Sequence, residues 1–148
     1  MDATVNGVGI SKLREITDAK GAVLHVRRND DEDFTTFGEC YCSEINPGEI
    51  KAWKIHEFQV QNIAVPVGRI RLVIFDPRET STTKGILQVI ELGRPDKYVR
   101  VKIPAGVWYG FKCLSTEKAL LVNCTDKPHD QADNKKLPVD APGIPYEW

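Results

Sequence analysis

Along most of the chain, apolar and polar residues alternate with a period of two, the pattern of strands that bury one face. Residues 99–103 are the clearest case, with Val99, Val101 and Ile103 on one side and Arg100 and Lys102 on the other. Residues 69–75, RIRLVIF, alternate at first and then run apolar without a break, as a strand does when it passes from a half-buried to a buried setting. FGECYCSEI, GILQVIEL, VWYGFKCLS and ALLVNCT predict further strands, punctuated by turn residues at Pro47-Gly48, Asp76-Pro77, Gly93-Arg94-Pro95-Asp96 and Pro104-Ala105-Gly106. Near the N-terminus, residues 10–16 and 22–27 flank the turn Asp18-Ala19-Lys20-Gly21 and predict a hairpin. The best helix candidate, residues 11–20, is short and has no cap pattern. Residues 30–33 read as a solvated acidic loop. The proline-rich residues 127–148 predict an extended tail that docks through Tyr146 and Trp148, since burying such a ring is worth about 1.5–3 kcal/mol.

These elements predict an all-β protein, a jelly-roll barrel with an N-terminal hairpin and an extended C-terminal tail, its polar-bearing stretches lining one cavity. A chain of 148 residues with 41% hydrophobic content is expected to form one domain: N-terminal strands at 1–47, a barrel core at 48–126 and a docking tail at 127–148. Composition then removes several classes of function. Twenty Lys and Arg against 21 Asp and Glu leave a net charge of -1, without the global basic field of a nucleic-acid or membrane-surface protein. No apolar run approaches the roughly 20 residues of a membrane span, and the N-terminus lacks an export pattern, so a cytoplasmic location is expected. Cys40, Cys42, Cys113 and Cys124 form no C-x-x-C pair and are expected to be reduced thiols.

Candidate chemistry concentrates between Gly48 and Gly68. Lys54 and His56 stand two apart on one predicted strand and so share a face; Gln61 comes from the next strand across a hairpin. An imidazole with an ordinary pKa of about 6.5 suits acid/base work, though His56 reads equally as a core histidine satisfied by Gln59 or Gln61. Lys54 becomes a base only if desolvation or a neighbouring cation lowers its pKa from about 10.4; otherwise its ammonium anchors a carbonyl or a phosphate. Tyr109, just after a Pro-x-Gly turn, is a candidate proton donor at the cavity wall or a packing residue at its rim. Lys51, Arg69 and Arg71, with Arg78 and Lys102, are candidates to meet a diphosphate; Gln59 and Gln61 are neutral binding groups, and Trp53 and Phe58 are stacking surfaces. One histidine, an amide and a lysine are too few for a metal site, and no metal is expected.

The runs KAWKIHEFQ, FDPRETSTTKG, IPAGVWYGFK and NCTDKP and the terminal IPYEW resemble, in order and spacing, the dTDP-4-dehydrorhamnose 3,5-epimerase family, especially its short members related to polysaccharide-sugar biosynthesis. The resemblance covers nearly the whole chain. It implies a cupin-type barrel (a double-stranded β-helix), a homodimer with exchanged N-terminal strands, and a nucleotide-linked 4-keto-6-deoxy sugar as ligand. It implies proton transfer next to a ketone, with a base, an acid on the other face and a donor or cation for the enolate, and no metal or organic cofactor. Lys54, His56 and Gln61 stand where a cupin usually places two histidines and a glutamate. The family's base histidine, in Arg-Gly-Leu-His, matches Lys54 in Lys51-Ala52-Trp53-Lys54, and the enolate-holding lysine matches Gln61. The histidine of Pro-x-Gly-x-x-His-Gly is Tyr109, the general-acid tyrosine finds Val122 or Lys127-Pro128, and the acidic residue finds Leu72. Two functions follow: an isomerase with Lys54, His56 and Tyr109 in acid/base roles, or a non-catalytic cupin that binds a sugar nucleotide or a partner enzyme.

Overall fold

The structure is a computed structural model and describes residues 3–148. Its strands are β1 (Gly9–Lys12), β2 (Glu15–Asp18), β3 (Gly21–Leu24), β4 (Glu39–Ile45), β5 (Ile50–His56), β6 (Gln61–Val67), β7 (Arg69–Phe75), β8 (Leu87–Gly93), β9 (Val99–Ile103), β10 (Trp108–Cys113), β11 (Ala119–Thr125) and β12 (Asn134–Lys136). They form two five-stranded antiparallel sheets, β1-β9-β6-β11-β4 and β12-β5-β10-β7-β8, and the hairpin β2-β3. From β5 to β11 the chain passes back and forth between the sheets, so that each buries its inner face against the other. This is the all-β jelly roll that the alternation predicts. Ile70, Leu72 and Ile74 of β7, Val101 and Ile103 of β9 and Leu121 of β11 fill the space between the sheets.

Residues 69–75 run apolar because the second sheet is covered on both faces. Val73 and Phe75 face outward and would be wet in a bare sandwich, but the tail folds over them. Ala141, Ile144, Tyr146 and Trp148 pack there around Trp53, which is 1% exposed. The Trp53 ring lies 5.1 Å from Trp148 and 6.4 Å from Tyr146, and its Nε1 donates to the Val139 carbonyl at 3.1 Å. The tail is not wholly extended: a 3-10 turn, Gln131–Asp133, precedes β12. The turn's Asp133 carboxylate accepts from the backbone of Phe58 and Gln59, which ties the tail to the loop after β5.

The first sheet is covered differently. The predicted hairpin forms, with Asp18 Oδ1 accepting from the Lys20 and Gly21 amides, but its first arm is split. Residues 9–12 join the first sheet beside β9, and Leu13 breaks the run by turning down onto Ala64 and Tyr98. No helix forms over residues 11–20, where β-pairing takes up the backbone groups instead. The acidic run is not simply solvated either. Arg100, expected on a wet face, is 4% exposed, and its guanidinium meets the Val26 carbonyl, Asp31 and Asp33.

Trp53→Ala is expected to lower the unfolding free energy by about 3–5 kcal/mol, the usual range for emptying a buried aromatic site. Chemical denaturation checks this; a midpoint near that of the wild type would mean that the tail does not hold the outer face of the second sheet.

Candidate active site

β5 and β10 pair antiparallel, with Tyr109 opposite Lys54 and Phe111 opposite Lys51. Two residues, Ala52 and Trp53, therefore stand against the single Gly110, which is the arrangement of a β-bulge. The bulge sets which side chains look inward. Plain alternation places Lys51 and Trp53 on one face and Lys54 and His56 on the other; the extra residue turns Lys51 inward while Trp53 stays outside. A Cβ on Gly110 would lie 2.5 Å from the Ala52 Cβ, so only glycine fits against the bulge.

The inward residues open on a cavity of about 380 Å³. Tyr41, Ser43, Ile63, Leu121 and Asn123 line it from the first sheet, and Lys51, Lys54, Tyr109 and Phe111 from the second. Lys136 adds a third ammonium from β12, where it pairs with Lys54 across the sheet edge. Among the described residues no carboxylate lines this space, so the field they set up there is positive. Lys51 Nζ is held by Ser43 Oγ at 3.0 Å and the Glu44 carbonyl at 2.6 Å. Burial, and then the Lys136 and Lys51 charges, move the Lys54 pKa down from its ordinary value. Burial likewise pushes the Tyr109 phenol well above its usual range.

The other residues singled out from the sequence lie elsewhere. His56 is 5% exposed and stacks on Tyr109, ring centroids 6.0 Å apart, rather than forming cavity wall. Its buried Nδ1 has no hydrogen-bond partner among the described residues. Gln59 and Gln61 are buried and spend their amides on each other and on their surroundings: Gln61 Nε2 donates to Gln59 Oε1 at 2.8 Å, Gln59 Nε2 donates to the Lys127 carbonyl at 2.7 Å, and Gln61 Oε1 accepts from Asn123 Nδ2 at 2.6 Å. Trp53 touches the cavity edge, but its indole belongs to the tail contact and offers no stacking face. Arg69 and Arg71 point away from the cavity, because their neighbours Ile70 and Leu72 take the inward positions of β7; Arg69 pairs with Asp96 and Glu91. Arg78 belongs to the loop after β7, where Asp76, fully buried, also accepts from Ser81 and Thr83. Among the described residues, no group of three His, Cys, Asp or Glu gathers as metal ligands would.

Sequence reasoning missed Tyr41, Ser43, Asn123 and Lys136. Three of these had a signal: Tyr41 and Ser43 share a face in ECYCS, and Asn123 is the polar residue inside the otherwise buried run ALLVNCT. Lys136 had none, since nothing local announces that the tail pairs with β5.

A jelly roll with ammonium groups, phenols and amides facing a cavity between its sheets is a barrel of the cupin type. The family model described as dTDP-4-dehydrorhamnose 3,5-epimerase matches residues 2–148, and the chain belongs to that family of epimerase/isomerase-type enzymes. It is 33% identical to a probable low-salt glycan biosynthesis epimerase of Haloferax volcanii, covering 97% of this chain and 94% of the relative. It is 32% identical to the spore coat polysaccharide biosynthesis protein SpsL of Bacillus subtilis, covering 97% and 96%. Among solved structures, a dTDP sugar isomerase from Desulfovibrio desulfuricans superposes with a TM-score of 0.96 at 48% identity, over 97% of this chain and 92% of the other. A Legionella pneumophila epimerase crystallised with dTDP-4-keto-L-rhamnose shares the fold, at a TM-score of 0.85 and 17% identity over 100% and 81%.

His56 yields a test in solution. Burial, then the Lys54 charge, lower its pKa from about 6.5 to about 4, so the folded protein refuses a proton that the unfolded chain accepts below about pH 6.5. Stability is therefore expected to fall as the pH drops from about 6.5 towards 4. His56→Gln should flatten that slope when unfolding is followed at several pH values, and parallel slopes in the two proteins would contradict the assignment.

Proposed function

We propose that this protein epimerises a dTDP- or other nucleoside-diphosphate-linked 4-keto-6-deoxyhexose, by moving a proton at a carbon next to the ketone, for polysaccharide or deoxysugar assembly. The observation that carries the reading is Lys54, an inward lysine whose pKa is lowered by burial and by two neighbouring ammonium groups, in a barrel of the epimerase family. A neutral amine is a competent base, and a desolvated lysine beside other cations is one route to it. Lys54 takes the proton from carbon; Lys51 and Lys136 supply positive charge for the diphosphate or for the enolate oxygen. Tyr109, beside Lys54, donates to the ketone oxygen and is kept in place by His56 stacked against it. Gln59 and Gln61 brace the interior and bind no ligand directly. Nothing favours a cupin that only binds.

A homodimer is part of this reading. Its support is the outer face of the first sheet, where Leu120 and Val122 are half-buried and Val67, paired with Leu120, is 54% exposed. Such a row of apolar side chains is better covered than wet. A cytoplasmic setting also belongs to it, supported by four cysteines that are free thiols.

The deciding measurement is deuterium uptake from solvent into dTDP-4-keto-6-deoxyglucose. The wild type should exchange at a carbon next to the ketone, and Lys54→Ala should exchange about 10²–10⁴-fold more slowly while still binding dTDP. Exchange in the variant within a few-fold of wild type would remove Lys54 as the base. Sedimentation equilibrium should return twice the mass of one chain, and a monomer at micromolar concentration would sink the dimer.

A further inference from the structure

Inverting a carbon requires the proton to leave from one face and return to the other, so base and acid must stand on opposite sides of the sugar. The titratable groups around the cavity are divided unevenly between its walls. Lys51, Lys54, Lys136 and Tyr109 all belong to the second sheet. Among the described residues lining the first sheet, Tyr41 of β4 is the one titratable side chain, set between Ser43 and Asn123.

The Tyr41 hydroxyl is oriented by a chain of amides. Asn123 Oδ1 accepts from the backbone N–H of Asn62 at 3.1 Å, which leaves Asn123 Nδ2 to donate to Tyr41 Oη at 3.0 Å and to Gln61 Oε1 at 2.6 Å. Gln61 Nε2 then donates to Gln59 Oε1, and Gln59 Nε2 to the Lys127 carbonyl. Both ends of the chain are backbone groups of fixed polarity, so no amide along it can flip without losing a bond. The Tyr41 oxygen therefore accepts from the wall, and its own proton is left for the cavity.

We propose that Tyr41 is the proton donor on the face of the sugar opposite Lys54. The inference rests on the reading above and names the second catalytic residue of that reaction. Neutral Lys54 removes the proton and becomes an ammonium, and the C–H electron pair passes through the enolate to the ketone oxygen. When the ketone re-forms, the enolate carbon takes the Tyr41 proton from the other side, leaving a phenolate that accepts from Asn123 Nδ2. Proton transfer through solvent returns Lys54 to the amine and Tyr41 to the phenol, and no other reactant is needed. Burial raises the Tyr41 pKa against the pull of the Asn123 bond, so the phenol stays protonated between turnovers.

Tyr41→Phe removes one oxygen from a residue that is 40% exposed, and its fold is verified by an unchanged unfolding midpoint. With dTDP-4-keto-6-deoxyglucose in deuterium oxide, the variant is expected to keep solvent exchange within a few-fold of wild type, because Lys54 is intact. Formation of the inverted sugar should fall by about 10²-fold or more, as when a positioned acid is lost. Exchange without inversion supports the proposal. Inversion near the wild-type rate overturns it, and so does loss of both exchange and inversion with dTDP binding retained, which would place Tyr41 on the side of the base. Absence of exchange in the wild-type enzyme would instead defeat the substrate reading itself, a result distinguishable from either.

Discussion

The site depends on a steric constraint at one residue: two residues of β5 press against Gly110 of β10, and no side chain fits between them. A strand in strict alternation delivers every second side chain to one face. Here the bulge delivers Lys51 and Lys54, three apart, to the cavity, and sends Trp53 to the opposite surface. The same local irregularity thus builds the cation cluster inside and the aromatic anchor for the tail outside. Bulges re-aim side chains next to functional sites in many sheets, and this one couples the lining of the cavity to the anchoring of the tail through a single stretch of backbone.

The tail does more than cover apolar surface. By pairing with β5 it places Lys136 opposite Lys54, and by binding Phe58 and Gln59 through Asp133 it ties down the chain on its way to β6. One segment of chain therefore both closes an apolar face and completes the electrostatics of the cavity. Each ammonium added near a half-buried lysine makes the protonated form of that lysine less favourable, which is how a residue with an ordinary pKa near 10.4 is moved towards a base.

Much of the fold could be read from local pattern, because a period of two reports which face is buried whatever the partner strand. The strands between residues 39 and 125 follow from alternation and Gly/Pro punctuation, although β5 and β6, expected to form a hairpin, fall in different sheets. What could not be read was anything that depends on a distant partner. Leu13 splits the first hairpin arm because Tyr98 and Ala64 wait beneath it, and Arg100 is buried because Asp31 and Asp33 reach across to it. In the site, the inward direction of Lys54 follows from its strand, whereas that of Lys51 depends on a bulge set by a glycine on another strand. Arg69 and Arg71 looked like anion ligands by residue type alone; the alternation of RIRLVIF already assigns them to the face opposite Ile70 and Leu72.

The positive cavity constrains where an anionic ligand can sit. A diphosphate placed against Lys54 would favour its ammonium and undo the lowering that Lys51 and Lys136 bring about, since opposite charge within about 4–6 Å stabilises the protonated form. The proposed role of Lys54 therefore requires the phosphates to engage the other two lysines and leave the neutral sugar ring next to Lys54. Lys136 is exposed at the sheet edge, and Lys51 is already drawn towards Ser43 and the Glu44 carbonyl, so the charge available to phosphates lies at the rim while Lys54 lies deeper. An enolate is a different case, because in the proposed reaction its charge appears only after Lys54 has taken the proton. The resulting ammonium then faces an oxyanion, and the attraction that would have disabled the base in the ground state stabilises the intermediate it has just formed.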